Sequence, residues 1–255
     1  MSEKSAEKPT AKPAGPARKR KAKADTAPPT RSSRRHLIVK WLGRVAAVVA
    51  GGYAALILVF AFLPPPINLY QLGEAWRLGG IKKDWVSWEE IAPVMARSAV
   101  AAEDANFCNH WGFDMAAIRL AIEEGSNRGA STISQQVAKN VFLWHGRSWL
   151  RKSMEAVLTP AVELVWTKRR ILEVYLNVAE FDDGVFGVQA AAQHHFGVDA
   201  RDLTALQAAR LAAVLPDPKG RSASDPSSFV RSRTRSIISG AETIAADGRS
   251  ACFEG

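Results

Sequence analysis

One uncharged apolar run constrains this chain more than any other feature. From Val45 to Leu63 there are nineteen consecutive residues without a charge. At about 1.5 Å per residue, a helix of that length spans roughly 30 Å, the hydrocarbon thickness of a bilayer. Three prolines at 64–66 end the run. The run is longer than the apolar part of a signal peptide, and no A-x-A-like cleavage site precedes the prolines. We therefore expect an uncleaved membrane anchor.

The positive charge of the chain is concentrated around the start of this run. Residues 1–44 hold thirteen of the 34 Lys and Arg residues and three of the 25 acids, a balance of +10, and the rest of the chain nets −1. We predict a disordered basic tail over 1–36, an anchor over 37–66 and a folded domain over 67–255. Because Lys and Arg stay cytoplasmic, the domain is expected on the far side of the membrane, which in a bacterium is the periplasm. A tail that binds nucleic acid is the alternative, and the near-neutral domain argues against it.

The exported part predicts a mainly α-helical fold. It has no internal repeat and no long alternating run that would indicate a sheet. Capping boxes at Ser87 and Thr204 are expected to open helices towards Glu103 and over 205–214. Asp114 is expected to cap another helix, and Ser131 or Thr132 the helix over 133–143. The last 30 residues have only a weak helical pattern.

A longer helix is predicted from Trp149 to Trp166, with a kink at Pro160. Its expected buried stripe consists of Leu150, Met154, Val157, Leu158 and Val165. Two cysteines, Cys108 and Cys252, are too few for a disulfide framework and lack a metal-site spacing. We expect Cys108 to be a small buried residue.

The segment from Glu103 to Gly112 is the first cluster that could carry chemistry. Glu103 and Asp104 are adjacent on a helix, so at most one of them faces a cleft. A carboxylate beside the aromatic rings of Phe107 and Trp111 would be partly desolvated. Desolvation raises its pKa towards that of a useful base. The alternative is a solvated helix end with His110 satisfied in the core.

Two further clusters are polar and cationic. Thr132, Gln136, Lys139 and Asn140 fall at i, i+4, i+7 and i+8, a helical stripe with a single charge that suits a polar ligand or is an ordinary exposed face. Arg147, Arg151 and Lys152 surround Glu155 in sequence; they could hold a diphosphate, or form simple helix-surface pairs.

A fourth cluster opens a predicted helix with Lys168, Arg169 and Arg170. Three cations in the first turn oppose the helix dipole, which indicates either a ligand or a buried acid partner. Tyr175 and Leu176 are expected in the core, and Glu173 as an ion-pair partner.

The order and spacing of the four clusters resemble the peptidoglycan glycosyltransferases of the lysozyme-like superfamily, the domain also found in bifunctional penicillin-binding proteins. The family shows E-D-x-x-F-x-x-H-x-G, G-x-S-T-[IL]-x-Q-Q-x-x-K-N, R-K-x-x-E and R-I-L-E-x-Y-L-N followed by G-x-x-G. These patterns match Glu103–Gly112, Gly129–Asn140, Arg151–Glu155 and Arg170–Gly187. No Ser-x-x-Lys with Ser-x-Asn and Lys-Thr-Gly follows, so we expect a monofunctional enzyme without a transpeptidase.

The resemblance implies a lysozyme-like helical domain that polymerises lipid II into β-1,4-linked glycan strands. Transfer would be inverting, with release of undecaprenyl diphosphate. It implies Glu103 as the general base and Glu155 as a second catalytic residue that positions cations. The substrate-binding residues that it implies are Asp104, Phe107, His110, Thr132, Gln136, Lys139, Asn140, Arg147, Arg151 and Lys152.

The resemblance also sets expectations for partners. No metal or other cofactor is required, and a divalent cation, Mg²⁺ or Mn²⁺, is a candidate stimulant. The expected partners are lipid II, the nascent glycan strand and the bacterial inner membrane, with the division or elongation machinery as candidates. A lytic transglycosylase or lysozyme-like hydrolase and an inactive cell-wall scaffold are the alternatives.

Three residues depart from the family pattern. Asp182 and His195 stand where relatives often have glycine and an aromatic residue, and Pro160 interrupts a helix that is usually free of proline.

Overall fold

A computed structural model describes residues 31–123, 131–146 and 148–255. As predicted, this part is mainly α-helical. It also contains one small sheet. Its α-helices are α1 Arg31–Phe60, α2 Leu69–Leu78, α3 Pro93–Glu103, α4 Met115–Glu123, α5 Ile133–Phe142, α6 Trp149–Val165, α7 Lys168–Val178, α8 Val188–Phe196, α9 Ala205–Val214, α10 Ser228–Ala246 and α11 Ala251–Glu254. The strands are β1 Lys82–Lys83, β2 Glu180–Asp182 and β3 Val185–Phe186, in the order β1-β3-β2, with β1 parallel and β2 antiparallel to β3.

The core is organised around α7. Its inward residues Ile171, Leu172, Tyr175 and Leu176 are almost completely buried. Helix α5 packs on α7 and α6, while α3, α9 and α10 pack on one another. The carboxyl end of α3 therefore meets α5 between these two groups of helices.

The first helix starts earlier than predicted. It begins at Arg31, so the expected disordered tail over 1–36 is wrong in its last six residues, while 1–30 lie outside the described residues. Extending an existing helix costs little free energy, so a long apolar helix carries polar flanking residues with it. The 26 residues Arg35–Phe60 have a mean hydropathy of 1.9, which makes this helix long and apolar enough to cross a membrane.

The end of α1 is bound by side chains of the folded domain. The Trp166 indole donates to the Ile57 carbonyl at 2.7 Å. The Arg170 guanidinium donates to the carbonyls of Phe60, at 3.0 and 3.1 Å, and of Leu63, at 2.7 Å. The last carbonyls of a helix have no partner within it, so the Arg170 bonds satisfy that of Phe60. Arg170, one of the three unexplained cations, thus holds the anchor rather than a ligand.

The predicted helix from Ser87 to Glu103 is split in two. The capping box at Ser87 forms, but it opens only a 3-10 turn, Trp88–Glu90. Ile91 and Ala92 are extended, and α3 begins at Pro93. A residue before proline disfavours the helical conformation, which explains the break. The caps expected at Thr132 and Thr204 are confirmed.

Helix α6 buries a different stripe from the predicted one. Of the five expected residues only Leu158 is buried, while Leu150 and Val157 are largely exposed. The buried face instead carries two acids, Glu155 and Glu163, with the remaining buried residues Leu158, Thr159 and Val162. Periodicity gives the spacing of an apolar stripe but not which of two stripes meets the core. The helix is continuous through Pro160.

The two cysteines form a disulfide, so the expectation of a free buried Cys108 is wrong. Cys108 lies in a 3-10 turn, Phe107–Asn109, and bonds to Cys252 in α11 across 144 residues. The buried ring of Phe253 packs near that of Phe107, with their centroids 6.4 Å apart. The carboxyl-terminal segment, where α10 also forms a full nineteen-residue helix, is therefore fixed to the Glu103–Gly112 segment.

Candidate active site

Glu103 ends α3 and points its carboxylate towards α5. Its Oε2 accepts a hydrogen bond from the Gln136 amide at 2.9 Å. Burial raises the pKa of Glu103, and this effect exceeds the opposing hydrogen bond from Gln136 and the charge of Arg233. The side chain keeps 13% of its exposure, so a substrate hydroxyl can reach it. The structure thus brings Glu103 and Gln136, from two separate sequence clusters, into contact.

Arg233 is a functional candidate that no sequence pattern indicated. It lies on α10, 130 residues after Glu103, and its Nη2 stands 3.8 Å from Glu103 Oε1. The same nitrogen donates to the Ala102 carbonyl at 3.1 Å. Its buried Nε has no hydrogen-bond partner among the described residues. Arg233 thus keeps a positive charge at ion-pair distance from the candidate base.

Asp104 links the first two clusters. Its Oδ2 accepts from the Ile133 backbone N–H at 3.0 Å, and its Oδ1 contacts His110 Nε2 at 2.8 Å. Carboxylates are favourable at helix N-termini, so Asp104 holds the start of α5 against the end of α3. Asp104 is buried, which answers the question of which adjacent carboxylate faces the cleft.

Thr132 and Phe107 also support the site from within. Thr132 is buried; it caps α5 and donates to the Gly112 carbonyl at 2.6 Å. Gly112 has φ +80°, and a Cβ there would stand 2.6 Å from the Thr159 side chain, so this motif position requires glycine. Phe107 is fully buried, with the Lys168 ammonium 4.4 Å from its ring centre. The substrate-binding roles expected of these residues stay predictions.

The α5 stripe opens into a cleft beyond Gln136. Lys139 and Asn140 line it, opposite a wall that includes Tyr175 and Glu180. Burial, together with the nearby Arg151 and Lys152, lowers the pKa of Lys139, while Glu155 opposes this. All the residues lining the cleft are Asn68, Tyr70, Gln136, Lys139, Asn140, His145, Tyr175, Val178, Ala179, Glu180, Phe186, Leu215 and Pro218.

The cationic cluster on α6 is organised around a buried acid. Glu155 Oε2 accepts from Arg151 Nη1 at 2.8 Å, and its Oε1 pairs with the Lys152 ammonium. Arg151 also donates to the Gly146 carbonyl at 2.8 Å. Glu155 therefore positions two cations, in line with the expectation. Arg147 lies outside the described residues.

This cluster does not suit the divalent cation that the resemblance allows. Mg²⁺ and Mn²⁺ prefer carboxylate oxygens, and both Glu155 oxygens already face cations. A second acidic group, Glu74, Glu180 and Asp183, is likewise paired, with Arg77 and Lys219. We derive no step from a divalent ion at either place.

The far wall of the cleft contains residues that the sequence patterns missed. Tyr70 donates to Glu180 Oε2 at 2.6 Å and stacks on His145, with ring centres 3.7 Å apart. Burial, followed by the bond to Glu180, raises the pKa of Tyr70 to about 12. Burial, followed by the cations Lys139 and Arg151, lowers the pKa of His145 to about 4. His145 is therefore neutral at physiological pH and adds a polar group without charge.

Lys168 resolves the second of the unexplained cations. Its ammonium pairs with buried Glu163 at 2.7 Å and donates to the His110 carbonyl at 2.8 Å. Glu163 also accepts from the Ser134 hydroxyl. This buried ion pair ties α7 to the start of α5 and to the Glu103–Gly112 segment.

Removing one partner of this pair should destabilise the domain strongly. Lys168→Ala is expected to lower the free energy of unfolding by about 3–5 kcal/mol, because Glu163 is left charged and buried. Thermal unfolding of the purified full chain measures this. The double variant Glu163→Gln, Lys168→Met should recover part of the loss, and a single variant as stable as the parent would contradict the assignment.

Comparison with known proteins agrees with this geometry. A transglycosylase family model matches residues 72–242. The chain is 63% identical over 206 residues to a biosynthetic peptidoglycan transglycosylase of Jannaschia sp. (strain CCS1), covering 79% of this chain and 86% of that protein. It is 50% identical over 206 residues to the protein of that name from Pseudomonas putida (strain W619), covering 77% and 87%. It is also 50% identical over 217 residues to one from Pectobacterium carotovorum subsp. carotovorum (strain PC1), covering 79% and 89%.

The family model spans Glu103, the α5 stripe and all of the cleft lining except Asn68 and Tyr70, and on these matches the chain belongs to the transglycosylase family.

Proposed function

We propose that this protein polymerises lipid II into peptidoglycan glycan strands. The growing strand on its lipid diphosphate is the donor, and the 4-hydroxyl of the next lipid II is the acceptor. Glu103 takes the hydroxyl proton as the new glycosidic bond forms. The donor's bond to the diphosphate oxygen breaks, and undecaprenyl diphosphate leaves with that electron pair. The observation that carries this proposal is one desolvated carboxylate beside a cleft that has a separate set of cations.

The charges of the site suit a diphosphate leaving group. Lys139 lines the cleft, and Arg151 and Lys152 are close enough to affect its pKa. A diphosphate leaves as a stabilised anion, so it needs placed cations more than it needs a general acid. Burial, together with the nearby Arg151 and Lys152, lowers the pKa of Lys139, and a bound diphosphate would favour its charged form.

The same geometry argues against a hydrolase of the two-carboxylate type. Such enzymes place two free carboxyl groups on either side of the glycosidic bond. Asp104 is occupied by His110 and the start of α5, and Glu155 by its two cations. Among the described residues the cleft lining contains one further acid, Glu180, whose two oxygens accept from the Tyr70 hydroxyl and the Gly184 backbone N–H.

An exposed apolar face supports contact with the lipid surface. Trp149, Leu150, Val157 and Leu164 follow one side of α6 and are 66–90% exposed. Soluble surfaces rarely present such a continuous stripe, whereas a membrane-bound enzyme acting on a lipid can insert it. Trp76 is also exposed, whereas Val86 is buried and Trp85 and Trp88 pack on the core. The proposal places the basic amino-terminus in the cytoplasm, α1 in the inner membrane and the domain in the periplasm.

The direct experiment supplies purified lipid II to the full chain in detergent. Glycan polymer that is blocked by moenomycin, the donor-site inhibitor of the family, and unaffected by penicillin supports the proposal. Incubation with purified sacculi tests the alternative, because released muropeptides would indicate cleavage. If a folded, membrane-inserted chain does not polymerise lipid II, the proposed function is wrong. No surface in the described part singles out a division or elongation protein as a partner.

Lys139→Ala should mainly affect donor binding or departure of the diphosphate. The loss of one placed cation is expected to reduce polymerisation by about 10²- to 10³-fold. Arg201→Ala, which removes an exposed cation far from the cleft wall, is the matched control. The rate is measured over a range of lipid II concentrations, and an unaltered rate at all of them would remove Lys139 from the mechanism.

A further inference from the structure

Three side chains that could bind a metal meet at the join between β2 and α8. They are Asp182 at the end of β2 and the adjacent His194 and His195 near the end of α8. One ligand atom from each lies within 4.8 Å of the other two. Asp182 and His195 are two of the three positions at which the sequence departs from the family pattern. The proposed polymerisation uses none of the three.

We propose that Asp182, His194 and His195 form a binding site for Zn²⁺. Zinc favours imidazole nitrogen and carboxylate oxygen, at about 2.0–2.2 Å, in tetrahedral sites. In a tetrahedron of that size, neighbouring ligand atoms lie roughly 3.3–3.5 Å apart. Asp182 Oδ2 stands 3.2 Å from His194 Nε2 and 3.7 Å from His195 Nε2. The separations of Asp182 from the two histidines therefore lie near those of a zinc site, which would leave a fourth position for water.

The atoms that would not bind the metal are held by neighbours. Asp182 Oδ1 accepts from the Asp183 backbone N–H at 2.7 Å, which leaves Oδ2 to the two histidines. His195 Nδ1 lies 3.4 Å from the Ser224 hydroxyl, a partner for the proton that a metal-bound imidazole keeps on that nitrogen. Such outer contacts fix the orientation of ligating residues. His195 Nε2 also lies 3.4 Å from the Phe181 carbonyl, a contact that the metal would replace.

Lys82 is the one cation that contacts these ligands in the described part of the chain. Its ammonium lies 3.1 Å from His194 Nδ1. Zinc on Nε2 leaves a proton on Nδ1, so Lys82 has to turn away when the metal binds. Its side chain is exposed and can do so. Lys82 thus competes with the metal, and its removal should strengthen zinc binding.

The site would join a strand of the cleft wall, β2, to α8. β2 also carries Glu180, which lines the cleft and accepts from Tyr70. A metal bridging β2 and α8 would fix the strand two residues from Glu180. The site is separate from Glu155 and its cations, where the donor set does not suit a divalent ion.

The test titrates zinc into chelator-treated full chain in detergent, with bound metal measured after gel filtration. We expect one equivalent of Zn²⁺, and with Co²⁺ the intense visible absorption of a tetrahedral site. Asp182→Asn and His194→Gln should each weaken zinc binding at least about 100-fold. Lys82→Ala should bind more tightly than the parent. His194 is exposed, so its variant is expected to fold, which circular dichroism checks.

Asp183→Asn is the matched control, because it removes a neighbouring carboxylate that pairs with Arg77 and Lys219 instead. It should keep the full equivalent of zinc. The proposal is overturned if the parent retains no zinc, or if the Asp182 and His194 variants bind it as tightly as the Asp183 variant. Metal binding is read without lipid II, so these outcomes are independent of the polymerisation activity.

Discussion

Glu103→Gln is expected to reduce glycan polymerisation by about 10²- to 10⁴-fold, the usual contribution of a general base. Gln keeps the size of the side chain and its contact with Gln136, but it cannot accept a proton from the acceptor hydroxyl. The fold should persist, because burial disfavours the charged form of Glu103 and a neutral amide avoids that penalty. Polymer formation from purified lipid II and thermal unfolding of the same preparation measure the two effects.

The control for this variant is Glu89→Gln, which alters an exposed acid in the 3-10 turn before α3. It should polymerise like the parent. A Glu103→Gln protein that still makes long glycan strands would show that another group takes the proton. An inactive but unfolded variant would be uninformative about the base, and the comparison of melting temperatures separates these cases.

The pH dependence follows from the same carboxylate. Burial raises the pKa of Glu103, so the acid limb of the rate profile should lie above the range of an ordinary glutamic acid. The folded state holds its proton to higher pH than the unfolded state does. The free energy of unfolding should therefore fall as pH rises from the pKa of Glu103 in the unfolded chain through its higher pKa in the folded chain. Glu103→Gln should remove this local loss, and an acid limb that is unchanged in less active variants of Glu103 would contradict the assignment.

Loss of the Cys108–Cys252 disulfide is the second large effect that we expect. The bond closes a loop of 144 residues, and removing a long-loop disulfide costs about 2–5 kcal/mol. For a domain of this size that lowers the melting temperature by roughly 5–15 °C. It also releases α11 from the turn that follows Glu103 and Asp104, so activity near the melting temperature should fall with stability. The variant is Cys108→Ser with Cys252→Ser.

Reductant provides the control within the experiment. The parent in reductant should melt like the double variant, whereas the variant itself should not respond to reductant. A parent whose melting temperature is the same with and without reductant would show that the bond does not stabilise the domain. Serine is close in size to cysteine, which limits the loss from packing.

The chemistry of the site was largely predictable because it is local in sequence. Thr132 and Gln136 lie one helical turn apart, so their positions relative to one another follow from α5 alone. The contact between Glu103 and Gln136 cannot be predicted from the spacing of the residues, since nothing in it requires two helices to approach. Only the family pattern links the two. Arg233 shows the limit: it contacts Glu103 from α10, and no local pattern links them.

The errors of the sequence reasoning have physical causes of the same kind. The helix predicted from Ser87 is too long, because the capping box opens only a short turn and Pro93 starts a new helix. On α6 the apolar residues face outward, and the buried acids Glu155 and Glu163 are stable there only because of Arg151, Lys152 and Lys168. Those partners could be paired by spacing for Glu155 but not for Glu163. The disulfide had a signal, since two cysteines in a domain expected outside the cytoplasm can pair.

The bonds that Trp166 and Arg170 make to α1 have a consequence for how the enzyme works on its lipid substrate. They fix the end of α1 to the catalytic domain. With α1 in the membrane, as proposed, the height of the cleft above the bilayer would depend on these two side chains rather than on the length of a flexible linker. A flexible insertion after Leu63 would keep the protein in the membrane yet let the cleft drift from the lipid surface. In that arrangement membrane attachment and the position of the cleft are separate properties, and the second depends on Trp166 and Arg170.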